Sequence, residues 1–293
     1  MVKTLSQLYS EARRAFMTQE DEQTSSLLAR DLLCHVTGKS REMVIAQRDL
    51  FATEQDCLAM AQAVTRVLNG EPLAYVLGQW DFYGMTLYVT KDVLIPRDDT
   101  CAVASLAIEQ SLFLDTSPRI LDLCTGSGCI GLAIASRVKD ARVTLADISK
   151  DALQVAKKNV AAQKLTGRVS CMAVDALAAP TSFLGKFDLI VSNPPYITTE
   201  EMLELPDSVK NFEPHLALHG GSDGLDFYRS IAANYAEALK PGGFLCFEFG
   251  DGQGDGVPEG VQGVHLKGKA IGINLGRAVA EQVGLALFIQ HAH

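Results

Sequence analysis

Residues 119–131 read Arg-Ile-Leu-Asp-Leu-Cys-Thr-Gly-Ser-Gly-Cys-Ile-Gly, and the order of residue types here indicates the architecture of the chain. The first five residues form a short apolar run typical of a buried strand, and a helical pattern follows at 128–138. Between them, Gly126, Gly128 and Gly131 have the spacing G-x-G-x-x-G. Glycines at such a turn let the backbone approach a ligand closely. The stretch therefore predicts a strand, a ligand-binding turn and a helix.

The alternation of strand and helix continues along the chain. The sequence predicts strands at 142–146, 169–174, 187–192 and 243–249, and helices at 100–113, 150–162 and 226–239. Repeated units of this length are typical of a parallel sheet that is covered by helices on both faces. Ligands of such sheets bind at the carboxyl ends of the strands. We therefore expect an α/β fold with a doubly wound, mainly parallel sheet and a site beside the glycines.

The N-terminal part of the chain has a different pattern. Apolar residues at helical spacing, cap residues at Ser40 and Thr53, and Gly38 as a helix end predict four or five short helices. Aromatic residues around Gly84 then indicate a β-hairpin or an extended linker. We therefore expect a small all-helical domain at 1–75, a hairpin linker at 76–98 and a ligand-binding domain at 99–293. Residues 251–293 are atypical, with only a strained helix at 275–283 and a strand at 285–290.

Charge and hydropathy disfavour several classes of protein. The chain of 293 residues has a net charge of −9, which argues against a protein that binds nucleic acid mainly through phosphate contacts. It contains no run of 18 apolar residues, so a transmembrane helix is not expected. The N-terminus lacks the apolar core of a signal peptide, and a cytoplasmic protein is expected.

Cysteine and histidine spacing gives no indication of a metal site. None of the seven cysteines forms a C-x-x-C pair, and most lie in apolar runs typical of buried, reduced thiols. His215 and His219 are four residues apart, but no helical pattern surrounds them. We expect no metal.

A carboxylate follows the second strand of the predicted sheet. Asp147 lies 21 residues after Gly126, at the position where a carboxylate accepts hydrogen bonds from ribose hydroxyls. The nucleoside belongs either to NAD or to S-adenosylmethionine, and the glycines alone do not decide between them. Asp175, just after the third strand, is placed to reach an adenine edge.

The turn Asn193-Pro194-Pro195-Tyr196, after the strand 187–192, indicates the chemistry. Proline has no N–H and a fixed φ, so the turn is rigid and offers carbonyl oxygens but few donors. The Asn carboxamide adds an acceptor and Tyr196 an aromatic wall. Such a site suits a planar NH2 group, either an amide or the exocyclic amine of a base. A methyltransferase acting on nitrogen needs this acceptor clamp, whereas a dehydrogenase does not.

These motifs resemble those of the class I S-adenosylmethionine-dependent methyltransferases. Further stretches at 70–78, 82–84, 94–97, 213–229 and 247–253 resemble the peptide chain release factor N5-glutamine methyltransferases. The resemblance implies the class I methyltransferase fold with the helical N-terminal domain and hairpin linker. It also implies S-adenosylmethionine as cofactor and methylation of the glutamine in the Gly-Gly-Gln motif of release factors, without membrane or direct nucleic-acid binding. The helical domain would dock the release factor or serve only as a stabilising lid.

The resemblance also implies roles for individual residues. The residues expected to bind the cofactor are Asp122, Cys124, Thr125, Gly126, Ser127, Gly128, Asp147, Asp175, Ala176 and Asn193. The residues expected to act in catalysis and to bind the substrate are Asn193, Pro194, Pro195 and Tyr196, with Arg97 shaping the substrate groove or forming only an ion pair in the linker.

The sequence departs from the family pattern at a few positions, and two other functions stay open. Asp98 and Cys101 replace a proline and a glutamate of the family, and Ala176 stands where some relatives have an aromatic residue. The first alternative is a nucleic-acid amino methyltransferase acting on adenine N6 or guanine N2. The second is a binding protein without catalytic activity.

Overall fold

The computed structural model describes residues 3–114, 117–250 and 253, and the backbone of two strands at 261–263 and 271–275. The chain divides into two units. Unit 1 contains Met1–Gly78 and Asp207–Phe212, and unit 2 contains Gln79–Pro206 and Glu213–His293. The predicted strand at 285–290 and most of the predicted helix at 275–283 lie outside the described residues, whereas Leu275 ends a strand.

Unit 1 is helical because its apolar residues recur on one side of capped segments. Its helices are α1 (Leu5–Phe16), α2 (Glu22–Thr37), α3 (Arg41–Ala46), α4 (Glu54–Leu68) and α5 (Leu73–Leu77). The predicted caps are confirmed: Ser40 and Thr53 accept backbone hydrogen bonds in the first turns of α3 and α4, and Gly38 ends α2 with a φ of 65°. Leu5, Leu8, Phe16, Leu32 and Leu33 are buried in its core.

Unit 2 begins with the expected hairpin. Strands β1 (Gln79–Phe82) and β2 (Met85–Tyr88) pair antiparallel around a turn at Tyr83 and Gly84, both of which have a positive φ. Two residues with positive φ are required by the tight turn whose twist matches paired strands. The side chain of Asn159 accepts from the backbone N–H of Tyr88 and donates to its carbonyl, at 2.7 and 3.0 Å. The hairpin is thereby fixed to the rest of unit 2.

The main sheet of unit 2 confirms the predicted fold class. Its strands are β3 (Arg119–Leu123), β4 (Arg142–Asp147), β5 (Val169–Ala173), β6 (Phe187–Ser192), β7 (Leu239–Phe247), β8 (Val261–Gly263) and β9 (Ile271–Leu275). The order is β5-β4-β3-β6-β7-β9-β8, in which β3 to β7 are parallel and β9 and β8 pair antiparallel at the edge. The strand order reverses between β3 and β6, where ligands of open α/β sheets bind.

Helices cover both faces of this sheet. They are α6 (Thr100–Leu112), α7 (Cys129–Arg137), α8 (Lys150–Ala162) and, beyond the short helices α9 (Glu201–Glu204) and α10 (Asp207–Lys210), α11 (Asp226–Tyr235). Neither α9 nor α10 is among these covering helices, and α10 belongs to unit 1. Alternate strand residues enter two separate cores: Ile120 packs with residues of α6, α7 and α8, whereas Leu121 packs with Tyr228 and Tyr235 of α11. This alternation is the period of two that places neighbouring side chains on opposite faces.

The predicted end of the sheet differs in its boundaries. The helix expected at 226–239 ends at Tyr235 and continues as a 3-10 turn, and β7 begins at Leu239 rather than at 243. Leu239 belongs to the sheet, where it pairs with Phe187. The register then shifts, and the next pair joins Phe244 to Leu189. Pro241 and Gly242 lie within that irregularity. No described helix is both long enough and apolar enough to cross a bilayer.

Candidate active site

A cavity opens at the carboxyl ends of β3, β4 and β6, where the strand order reverses. Nine of the residues expected at the site line it: Cys124, Thr125, Gly126, Ser127, Asp147, Asp175, Ala176, Asn193 and Pro195. They come from four segments, at the ends of β3, β4, β5 and β6, which the sequence spreads over about 70 positions. The parallel pairing of β3 with β6, in which Leu123 is opposite Ser192, brings these loops together.

Asp122 is expected at the cofactor but lies beneath the glycine turn, where it is fully buried and does not line the cavity. Its Oδ2 accepts hydrogen bonds from Thr125 Oγ1 at 2.6 Å and from the Gly131 N–H at 2.9 Å. Burial raises the pKa of Asp122 to about 7, against the lowering effect of these two hydrogen bonds. Asp122 therefore shapes the turn from within the core.

The glycines of the turn serve two different purposes. Gly126 has a φ of 53°, and a Cβ at this position would meet no atom within 4 Å, so its backbone conformation is the reason for glycine. Gly131 is required for close packing, because a Cβ there would approach Leu145 Cδ2 to 2.3 Å. Gly128 also lies against Leu145 and does not line the cavity. Only Gly126 of these three thus presents its backbone to the site.

Asp147 ends β4 at the cavity wall. Its Oδ2 accepts from the Gly126 N–H and its Oδ1 from the Ser149 N–H, both at 2.9 Å. Burial raises the pKa of this carboxyl, and the backbone hydrogen bonds lower it. Each carboxylate oxygen keeps a further lone pair, so Asp147 is held in place and still able to accept from a ligand.

Beyond Asp147, the cavity wall consists of apolar side chains and the carboxylate of Asp175. Ile148 and Leu177 are each about half exposed, and both line the cavity with Phe227 of α11. Asp175 is held by the Leu177 N–H, which donates to its Oδ1 at 2.8 Å. Asp175 and Ala176 were predicted here from the sequence, whereas Ile148, Leu177 and Phe227 were not, because isolated apolar residues carry no distinctive signal.

The turn 193–196 lies at the opposite side of the cavity. Asn193 and Pro195 line it, whereas Pro194 is buried and Tyr196 is half-buried against the core around α11. Asn193 Nδ2 donates to Thr100 Oγ1 at 3.3 Å, and its Oδ1 accepts no hydrogen bond from the described residues. An acceptor is therefore left at the cavity.

Glu248 is a site residue without a role in the sequence analysis. It follows β7 and is 4% exposed, and its Oε2 accepts no hydrogen bond from the described residues. Burial raises its pKa to about 7, and the polar side chains of Thr100 and Asn193 lower it. The signal available in the sequence was a single acid between Phe247 and Phe249, because buried acids are rare unless they are paired.

Arg97 does not line the cavity. It forms an ion pair with Glu213, whose side chain is 1% exposed, and the Ile95 N–H donates to Glu213 Oε2 at 3.2 Å. The pair fixes the linker beside the loop after α10. Pro96 and Pro214, next to these two residues, do line the cavity, so Arg97 lies behind its wall.

The comparisons with known proteins agree with the fold. A family model described as the methyltransferase small domain matches residues 99–207, and one described as the PrmC N-terminal domain matches residues 7–78. The hMettl16 catalytic domain, crystallised with the MAT2A 3'UTR hairpin 6, superposes with a TM-score of 0.50 at 13% identity, covering 78% of this chain and 85% of that one. At this identity the likeness concerns the fold alone.

Two sequence relatives decide the family. The release factor glutamine methyltransferase of Clostridium acetobutylicum is 39% identical over 226 residues, which are 77% of this chain and 79% of the relative. That of Bradyrhizobium diazoefficiens is 40% identical over 233 residues, 78% of this chain and 77% of the relative. These matches confirm the resemblance inferred from the motifs. The chain belongs to the release factor glutamine methyltransferase family.

Proposed function

We propose that this chain transfers a methyl group from S-adenosylmethionine to the side-chain amide nitrogen of a glutamine in a peptide chain release factor, within the Gly-Gly-Gln motif. The observation that carries the proposal is the orientation of Asn193. Its nitrogen is engaged by Thr100, and its Oδ1 is left as an acceptor at the cavity. Family membership supplies the class of substrate.

The residues around the cavity suit a nucleoside cofactor. Asp147 is an anchored acceptor for ribose hydroxyls, and Asp175 is an acceptor beside the apolar surface of Ile148 and Leu177, which suits a purine ring. The backbone at Gly126 carries no side chain that would hold a ligand away. When bound, S-adenosylmethionine supplies a methyl group on a positively charged sulfur.

The acceptor oxygens of the turn 193–196 would compensate for the low nucleophilicity of an amide nitrogen. An amide nitrogen is a poor nucleophile because its lone pair is delocalised into the carbonyl. In our proposal, Asn193 Oδ1 and the carbonyl of Pro194 accept the two amide hydrogens of the substrate glutamine. This fixes the nitrogen in one orientation, which is an entropic gain. The same oxygens stabilise the positive charge that develops on the nitrogen.

Two neighbours complete this clamp. Tyr196 would stack on the plane of the substrate amide, and Pro195 limits the turn to one backbone conformation. No side chain is needed as a base in advance, because a methylated amide loses its extra proton readily to water. The residues of the turn therefore act by binding and orienting.

Unit 1 is proposed to dock the release factor. Ile45, Phe51 and Leu58 are 69%, 71% and 61% exposed and offer apolar surface that a protein partner would cover. Such residues suit a protein partner better than a nucleic acid. The net charge of −9 likewise disfavours the alternative, an amino methyltransferase acting on nucleic acid.

An assay with labelled S-adenosylmethionine tests the proposed function. The protein is incubated with either a release factor or a mixture of DNA and RNA. We expect label in the release factor alone. Label in nucleic acid alone would favour the alternative substrate, and a folded protein that binds no S-adenosylmethionine in isothermal titration would favour a binding protein without catalytic activity.

A further inference from the structure

The carboxamide of Asn193 can act as an acceptor only if its oxygen faces the substrate. A carboxamide has an oxygen and an NH2 group of nearly equal size, and a rotation by 180° exchanges them. With the NH2 group at the cavity, Asn193 would repel the hydrogens of a substrate amide. Something in the structure must therefore distinguish the two orientations.

Two polar side chains, Thr100 and Glu248, interact with Asn193, and Thr100 also lines the cavity. Thr100, the first residue of α6, accepts from Asn193 Nδ2 at 3.3 Å. The side chains of Thr100 and Asn193 also act on the carboxyl of Glu248, and both favour its ionised form. An ionised carboxylate only accepts, so it favours the orientation in which the Thr100 hydroxyl hydrogen points to Glu248 and a lone pair of Thr100 Oγ1 accepts from Asn193. The carboxylate sets the direction of every bond in this cluster.

We propose that Glu248 and Thr100 form a positioning pair: Thr100 accepts from the Asn193 carboxamide, the carboxylate of Glu248 fixes the direction of that bond, and Oδ1 of Asn193 is thereby held toward the substrate. This inference rests on the proposed function, in which Oδ1 accepts from the substrate amide. Glu248 itself does not line the cavity, and it acts through Asn193.

The burial of Glu248 supports this role. Its Oε2 is buried and accepts no hydrogen bond from the described residues, which lowers the stability of the folded state. The carbonyl of Glu248 accepts from Tyr228 Oη at 2.8 Å, which fixes the backbone that carries the side chain. A buried acid that is only partly satisfied is a feature more often retained for function than for stability.

The pair also makes the orientation depend on pH. Protonated Glu248 becomes a donor and no longer dictates the direction of the bonds. Two charged side chains act on Glu248 electrostatically: Asp99 raises the pKa of Glu248, and Arg97 lowers it. The titratable groups Cys101, Cys129 and Tyr228 also face it, and all three have raised pKa values that keep them neutral near pH 7. The acidic limb of the rate profile is therefore expected to belong to Glu248, whose pKa is about 7.

Two substitutions of Thr100 separate positioning from packing. Thr100→Val keeps the shape and loses the hydroxyl, whereas Thr100→Ser keeps the hydroxyl and loses a methyl group. Positioning predicts that Thr100→Val lowers kcat for the release factor by about 10- to 100-fold, with cofactor Kd unchanged, and that Thr100→Ser retains most of the rate. A packing role predicts the opposite order, and that order would overturn the proposal.

Glu248→Gln tests the carboxylate. We expect a kcat lowered by about tenfold or more and no acidic limb in its pH profile, with Glu109→Gln, an exposed acid on α6, as control. An acidic limb unchanged by Glu248→Gln would contradict the proposal.

A second measurement does not depend on any substrate. The side-chain NH2 signals of Asn193 in nitrogen-15 NMR, assigned by their loss in Asn193→Asp, should shift with pH near 7 in the wild type and stay constant in Glu248→Gln. Signals that do not titrate in the wild type would sink the inference. A wild type that shows this titration but fails to methylate any release factor would instead sink the proposed function alone.

Discussion

Gln253 is bonded to Tyr196 across 57 positions of sequence: its Nε2 donates to the Tyr196 carbonyl at 2.7 Å. The Oε1 of Gln253 accepts from the Gly250 N–H at 3.2 Å, so the side chain links the end of the turn 193–196 to the segment after β7. The turn 193–196 is thus restrained at both ends, by Thr100 at Asn193 and by Gln253 at Tyr196.

Loss of the Gln253 bond should therefore loosen the turn. For Gln253→Leu we expect kcat for methyl transfer to fall about three- to tenfold, the value of one ordinary hydrogen bond, with little change in cofactor Kd. Gln163→Leu is the matched control, because it removes a similar bond, of 2.9 Å to the Thr86 carbonyl, away from the site. Equal rates in the wild type and Gln253→Leu would show that the bond has no part in positioning the turn.

Asn193→Ala removes the proposed acceptor itself. One positioned acceptor at a developing charge contributes about 10²–10³ in rate, so methyl transfer should fall by that factor while cofactor affinity is kept. Steady-state kinetics and isothermal titration measure the two quantities. Asn234→Ala, which removes an amide on α11 bonded to Ser230, serves as control. Near-normal turnover by Asn193→Ala would refute the amide clamp.

Asp147→Asn should weaken the cofactor rather than the chemical step. A hydrogen bond to a charged group contributes about 1.5–3 kcal/mol, so Kd for S-adenosylmethionine should rise about ten- to hundredfold. Asp151→Asn, at an exposed acid on α8, should leave Kd unchanged. If the Kd of both variants for S-adenosylmethionine equals that of the wild type, Asp147 does not bind the ribose.

Asp122 should make the stability of unit 2 depend on pH. Its folded pKa of about 7 lies above the unfolded value of about 3.9, so between these values the folded state binds the extra proton. Its contribution to the free energy of unfolding is therefore fully present below about pH 4 and is lost as the pH rises through about 7. Glu248 contributes in the same direction.

Asp122→Asn cannot titrate, and we expect a smaller decline in stability between about pH 5 and 8. Denaturation followed by the fluorescence of Trp80, the single tryptophan, reports on unit 2. Asp140→Asn, an exposed substitution, should keep the wild-type slope. A slope unaffected by Asp122→Asn would show that the carboxyl is ionised in the fold.

The bounds of several strands and helices of unit 2 were predictable from the local hydrophobic pattern of the sequence. The strands 119–123 and 187–192 and the helix 150–162 have the predicted bounds, because short apolar runs and an amphipathic period were each closed by clear end signals. The antiparallel strands 261–263 and 271–275, which pair with each other, were not predicted, because the glycine-rich segment 251–293 has no clear strand pattern. The pairing that starts β7 at Leu239 was not predicted either, because its partner Phe187 is distant in sequence.

The site was predictable where a motif marks it and not where side chains meet through the fold. The glycine turn, Asp147 and Asn193 carry recognisable spacing, and all reach the cavity. Asp122 belongs to the same motif, but its side chain lies in the core beneath the glycine turn. The spacing of a motif does not show which of its residues face the ligand. Thr100 and Glu248 are 148 positions apart, and only the packing of α6 against β7 makes them neighbours of Asn193.

The proposed reaction depends on which atom receives the methyl group. We would incubate the protein with S-adenosylmethionine and an unmethylated release factor, then locate any added methyl by fragmentation mass spectrometry. We expect one methyl group on the side-chain nitrogen of the glutamine in Gly-Gly-Gln in the wild-type reaction, and the same product formed about 10²–10³-fold more slowly with Asn193→Ala. A methyl group at any other residue, or an unmodified release factor beside methylated nucleic acid, would contradict the proposed reaction.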